Sequence, residues 1–249
     1  ELRRQGYLGE AAPAGEGEAA EPAAPQEFTA EIADALGRFQ QARGIAADKV
    51  FGPVTLQALN RGPADYARAA AVALERRRWL MRKPPANRID VNTGIAMLHY
   101  YRDGNLADRR RVVVGQPGWQ TPQLQSQFFR LVANPTWTVP KSIERDEMAG
   151  VGAAYLRRNN MVRRNGWIVQ LPGPGNSLGL VKFDLDNRYA IYLHDTPAKA
   201  LFESNQRHRS HGCVRVSDAL GFASMIAEDQ GITGQWEQAR ASSRENRFL

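Results

Sequence analysis

The chain has 249 residues, 43% hydrophobic and 24% charged, with a formal net charge of +7. That length suits one catalytic domain plus a small module, and the composition is that of a globular chain. No apolar run reaches the roughly 18 residues of a membrane span. The short arginine runs at 76–78, 109–111 and 163–164 come without an RRM, zinc-finger or helix-turn-helix pattern, so no nucleic-acid partner is expected. Net positive charge also suits an anionic polymer, and scattered arginines serve solubility equally well. The chain opens at Glu1 with no initiator Met and no apolar leader, which reads as a mature or trimmed product.

Residues 10–26, EAAPAGEGEAAEPAAPQ, hold no large apolar side chain and cannot seed a core. A disordered tail is expected over 1–26. Between 27 and 62 the pattern changes. Ile32, Ala35, Leu36 and Phe39 fall at i, i+3, i+4 and i+7, the stripe of an amphipathic helix, and Gly44 offers a stop. Gly52-Pro53 opens a second helix, with Val54, Leu56 and Leu59 as its expected apolar contacts. Residues 63–85, rich in Ala and Arg, read as a connecting helix ended by Pro84-Pro85. From Arg88 the pattern becomes that of strands. RRVVVG (110–115), QFFRLV (127–132), GWIVQL (166–171), GLVKF (179–183) and RYAIYLH (188–194) are β-branched and aromatic runs bounded by turn formers. Asp103-Gly104 and Asp186-Asn187 sit where hairpin turns would help. SIERDEM and AAYLRRNNMVRR, within 141–164, read as a small helical insertion. Ser217 is the expected N-cap of a helix from Asp218 to Gln230, with Gly231 beyond its end. The expected fold is a mainly β domain over 86–231 with a few helices and a short insertion at 140–170. A small all-α module precedes it and a tail over 232–249 follows.

Cys213 is the single cysteine. It can form no intramolecular disulfide, and a lone thiol is commonly a small buried hydrophobe. Its neighbourhood is Ser210-His211-Gly212-Cys213-Val214-Arg215-Val216. A thiol nucleophile needs a base, because a thiol of pKa about 8.5 is little ionised at neutral pH. It also needs donors for the oxyanion formed when a carbonyl is attacked. Gly212 lets the backbone turn tightly beside it. His99 lies in an apolar run and reads as structural, while His208, between Arg207 and Arg209, reads as solvated. The histidines and Cys213 lack the close-spaced, thiolate-rich pairs of a structural zinc site, so no metal is expected.

Two separated elements resemble the L,D-transpeptidases of the YkuD type, whose signature is a His, then 14 to 17 residues, then [S/T]-H-G-C. Here 15 residues, 195–209, separate His194 from Ser210. RVVVGQPGWQTP, NPTWTVPKSI, QLPGPGNSLGLVKF, YLHDTP and SHGCVRV are similar to the periplasmic subgroup of that family. FQQARGIAADKVFGPVTLQALN resembles a peptidoglycan-binding type 1 module, with Lys49 where that pattern often has Gly. A packing module that binds nothing is the plainer alternative for it.

The resemblance implies a YkuD-like β-sandwich and the following roles. Cys213 is the nucleophile. His194 is its base, oriented by a backbone carbonyl, that of Asp195. His211 flanks the nucleophile and helps bind or polarise the substrate carbonyl. The N–H groups of Cys213 and Gly212 form the oxyanion hole. Arg215 supports the site or meets a substrate carboxylate, Tyr192 and Trp137 wall the pocket, and Ser210, Asn176 and Asp195 contact substrate. The implied reaction joins peptidoglycan stem peptides, donor and acceptor, through position 3 or position 1. It proceeds by a thioester, needs no cofactor, and would be inhibited by carbapenem-type beta-lactams. A periplasmic or cell-envelope location follows from that substrate. A cysteine L,D-carboxypeptidase using the same residues and a non-catalytic wall-binding protein are the alternatives.

Overall fold

The structure is a computed structural model that describes residues 1–9 and 27–248; the remainder of the expected tail, 10–26, lies outside the described residues. The chain divides into two units, Glu1–Pro84 and Pro85–Leu249. No helix among the described residues is long and apolar enough to cross a membrane.

The first unit holds α1 (Ala30–Ala42), α2 (Pro53–Leu59) and α3 (Pro63–Arg78). Thr29 caps α1 by accepting from the Ile32 N–H, and Leu36, Phe39 and Leu59 are buried together. The expected contacts of α2 are only partly realised: Val54 and Leu56 stay exposed. Seven residues make too short a helix to bury a full stripe. Residues 1–9 also depart from a tail, because Leu2 and Tyr7 supply apolar surface that 10–26 lacks. Both pack on this core, and Tyr7 meets Phe39 edge-on with centroids 5.4 Å apart. Gln40 is fully buried; its amide donates to Asp48, Val50 and Thr55 and accepts from the Lys49 N–H. That network holds Lys49 at φ 61°, the left-handed conformation that suits the glycine of the resembled pattern.

The second unit is mainly β. Its strands are β1 (Arg88–Asn92), β2 (Met97–Arg102), β3 (Asn105–Gly115), β4 (Phe128–Ala133), β5 (Trp137–Thr138), β6 (Met161–Arg164), β7 (Trp167–Gln170), β8 (Val181–Leu185), β9 (Tyr192–His194), β10 (His208–Ser210), β11 (Val214–Val216) and β12 (Asn246–Phe248). The main sheet runs β1-β2-β3-β11-β9-β8-β4-β12, with β10 paired to β3. A small sheet runs β5-β7-β6. The helices are α4 (Lys141–Glu147), α5 (Ala153–Arg158), α6 (Ala219–Asp229) and α7 (Thr233–Ala241). Phe222, Ala223, Ile226 and Trp236 of α6 and α7 pack on Leu131, Phe183, Leu193 and Val214 of the sheet.

Several local expectations change. Asp103-Gly104 does turn β2 into β3, with φ 51° and 80°. Asp186-Asn187 makes no tight hairpin: the Asn187 side chain accepts from the N–H groups of Tyr189 and Ile191 and holds a wider loop, so the strand starts only at Tyr192. AAYLRRNNMVRR is not one helix. Asn160 at φ 53° stops it, and MVRR becomes β6, hairpinned to β7 through Asn165-Gly166 at φ 48° and 77°. Asp218, not Ser217, caps α6 by accepting from the Gly221 N–H, and it does so in a left-handed conformation. Residues 233–248, expected as a tail, form α7 and β12; Trp236 is fully buried and β12 pairs with β4.

Candidate active site

Strand alternation assembles the site. Leu193 and Val214 are register partners in the parallel pair β9–β11, and both are buried in the core beneath α6. Side chains alternate across a sheet, so Tyr192, His194, Cys213 and Arg215 all rise from the opposite face. The same rule sorts β8. Phe183 opposes Leu193 in the core, while Lys182 opposes His194 and Asp184 opposes Tyr192 on the outer face. Arg130 of β4 joins them as the register partner of Asp184.

Cys213 follows a sharp turn. Gly212 has φ 113°, a conformation that side chains rarely adopt, and a Cβ there would lie a tight 3.1 Å from Ile191 Cδ1. Its carbonyl accepts from Thr121 Oγ1 at 2.7 Å. Its N–H, expected to point at an oxyanion, donates instead to Ser210 Oγ at 3.2 Å. Ser210 itself is buried and donates to the Cys213 carbonyl at 2.6 Å. It therefore closes the turn. His211 packs edge-on against Trp119, and its Nε2 lies 2.8 Å from Glu147 Oε1 of α4.

The electrostatics favour a neutral pair at rest. Burial pushes the Cys213 thiol above its usual value, against the N–H and hydroxyl of Tyr192 and the charges of Lys182 and Arg215, which favour the thiolate. His194 is buried, and desolvation first, then the Arg215 charge, lower its pKa from 6.5 to about 3. Its Nδ1 lies 2.5 Å from the Asp195 carbonyl oxygen. A neutral imidazole facing a carbonyl carries its proton on that nitrogen, which leaves Nε2 as an acceptor. The Asp195 carboxylate is turned away, paired with Lys199 and accepting from the Leu180 N–H. Burial first, then the neighbouring Cys213, raises the Tyr192 phenol well above its usual value, while a hydrogen bond from Trp137 works the other way. Trp137 and Tyr192 line a cavity of about 240 Å³ with Arg130, Lys182, Asp184 and Arg247. A larger open groove of about 620 Å³ along Arg109, Arg110, Arg111 and Phe202 contains none of the site residues expected from the sequence.

Arg215 is the register partner of His194, and its Nε is buried without a partner among the described residues. Asn176 has its own set of partners. It is buried, donates to the carbonyls of Pro135 and Leu171 and accepts from the Leu178 N–H, so it ties the base of the insertion. No cluster of metal-ligating side chains occurs among the described residues. Lys182, Asp184, Arg130 and Glu147 were not singled out from the sequence. The alternation in VKFDL marks Lys182 and Asp184 as facing away from Phe183, but which strand lies beside β8 is a tertiary fact.

The low His194 value has a measurable consequence. Its folded pKa, about 3, lies below the unfolded value of 6.5, so between them the unfolded chain binds more protons. The stability tied to neutral His194 is complete above about pH 6.5 and falls toward pH 3, by up to about 1.4 kcal/mol per pH unit. Thermal melting should show a steeper acid loss for the wild type than for His194→Gln. Parallel curves would contradict the buried neutral imidazole.

Residues 86–232 match the profile of the L,D-transpeptidase catalytic domain family, YkuD, and the chain belongs to that family. A Haemophilus influenzae protein provisionally named an L,D-transpeptidase is 33% identical over 171 residues, covering 59% of this chain and 35% of its own length. The chain thus spans about a third of that relative. Among solved structures, a cysteine-to-serine mutant of the Enterococcus faecium L,D-transpeptidase is 14% identical at a TM-score of 0.30, over 57% of this chain and 46% of its own. An L,D-transpeptidase in complex with imipenem is 14% identical at 0.32, over 57% and 54%.

Proposed function

We propose that the protein is a peptidoglycan L,D-transpeptidase of the periplasm or cell envelope, working through a Cys213 thioester. The observation that carries this reading is the outer-face grouping of Cys213 with Tyr192, Arg215 and a neutral His194 whose Nδ1 is held by the Asp195 carbonyl. His194 Nε2 takes the thiol proton as Sγ attacks the carbonyl of an L-configured stem residue. The N–H and hydroxyl of Tyr192 steady the thiolate in the meantime. With the Gly212 N–H committed to Ser210, the Cys213 N–H is the backbone donor assigned to the oxyanion. His194 returns its proton to the departing amine, and a D-amino acid or the terminal stem residues leave. The amine of a second stem then cleaves the thioester and forms the cross-link. Neither half-reaction calls for a cofactor or metal.

A cysteine L,D-carboxypeptidase would use the same acyl-enzyme and resolve it with water. Mass spectrometry of products from tetrapeptide and pentapeptide muropeptides separates the two. Dimers joined without a D-Ala bridge are expected, and their masses identify the stem position joined. Shortened monomers alone would establish the hydrolase, and unchanged substrate would overturn both readings.

A further inference from the structure

Transfer to an amine poses an electrostatic problem that acylation does not. The acceptor arrives as an ammonium, and the outer face is cationic. Arg215, Lys182 and Arg130 stand there against Asp184. Nearby carboxylates are already committed. Asp184 binds Lys182 at 2.6 Å and Arg130 at 2.6 Å, Asp195 binds Lys199, and Asp146 binds Arg145 at 2.7 Å. Glu147 differs. Its side chain is about half exposed, at 51%, and its Oε1 lies 2.8 Å from His211 Nε2. Its Oε2 makes no hydrogen bond among the described residues. Its charge reaches Arg215, whose own charge reaches Cys213, so it shares the field around the thiol.

Its position is also held. Glu147 is the last residue of α4, and Met148 beside it is buried with Val139, Met161 and Ile168. Glu144, one turn earlier, is pinned by Lys141 at 2.7 Å and Arg163 at 2.9 Å. His211, two residues before the nucleophile, is held from its other side by Trp119.

We infer that Glu147 is the acceptor-binding residue: its carboxylate receives the primary ammonium of the incoming stem and holds it beside the Cys213 thioester. This rests on the transpeptidase reading above and specifies how that site prefers an amine to water. The ammonium passes one proton to bulk solvent by way of Glu147. The freed amine forms the new N–C bond, the C–S bond breaks, and its electrons stay on Sγ. A second N–H proton restores the thiol by way of His194, and the third remains on the product amide. Protons and charge balance with no further reactant.

The test uses the full chain. Acyl-enzyme is formed with a tetrapeptide donor, then chased with increasing concentrations of a stem peptide bearing a free amine. Mass spectrometry reads cross-linked against hydrolysed product from the same acyl-enzyme, so the ratio does not depend on how fast acylation was. Glu147→Gln keeps an oxygen for His211 and removes the charge. It should raise the acceptor KM about tenfold, the scale of one lost charge-assisted contact, and shift product toward hydrolysis. Glu147→Asp should recover part of the difference. An unchanged ratio in Glu147→Gln would overturn the inference. So would a proportional loss of both products in Glu147→Ala with Glu147→Gln normal, since that marks Glu147 as a prop for His211. Wild-type protein that forms no acyl-enzyme would remove the transpeptidase reading itself, and the inference with it.

Discussion

Cys213→Ala should abolish product formation from muropeptides and should take up no carbapenem mass, while the wild type gains the full mass of the opened drug. A carbapenem adds whole because Sγ attacks the ring carbonyl and the amide that breaks stays tethered to the acyl group. Loss on the order of 10⁶-fold is the scale on which removing a catalytic nucleophile acts. The fold should survive. Cys213 sits on the outer face, and the turn before it is held by Ser210, Gly212 and Thr121, none of which uses the sulfur. Circular dichroism and melting should therefore match the wild type. Residual turnover or an intact drug adduct in the variant would place the chemistry on another residue.

His194→Ala should lower the acylation rate by about 10² to 10⁴, the usual worth of a general base. The direction follows from the two shifts. The Cys213 thiol is raised and His194 is neutral, so no thiolate–imidazolium pair is stored at rest and the proton moves during attack. Alkylation of the wild-type thiol by iodoacetamide should then climb with pH toward the thiol's raised value, without a plateau near neutrality. An early plateau, as a preformed ion pair gives, would contradict this mechanism. Because His194 is buried, melting of the variant must accompany the rate. A variant that stays folded yet acylates at the wild-type rate would remove His194 as base.

Much of the candidate site was legible because its residues lie close in sequence. The Ser210 to Val216 run, with its single thiol, and His194 on the preceding strand both rest on short-range pattern. So does the turn glycine, which the structure places at φ 113°. What was not legible depends on pairing. Asn176 and Ser210 are polar residues, and nothing in their identity says that one ties the insertion and the other closes a turn. Glu147 is one acid among several in SIERDEM, and only its approach to His211 separates it from Asp146. In the fold, the hairpin signal of Asn165-Gly166 competes with the helix-forming AAYLRR just before it. Trp236 lies in a polar stretch where Ile232, Trp236 and Phe248 are spaced too widely to give a clear helical or strand period.

The strand order carries a consequence for how the protein reaches its working form. β11 lies between β3 and β9, so Val113 and Arg215 are partners although about a hundred residues separate them. Pairings so remote in sequence close slowly, because a long loop must be ordered before any contact repays it. The strand that follows Cys213 is therefore seated on both sides only when that central slot is filled. Acylation competence on refolding should arrive with the last phase.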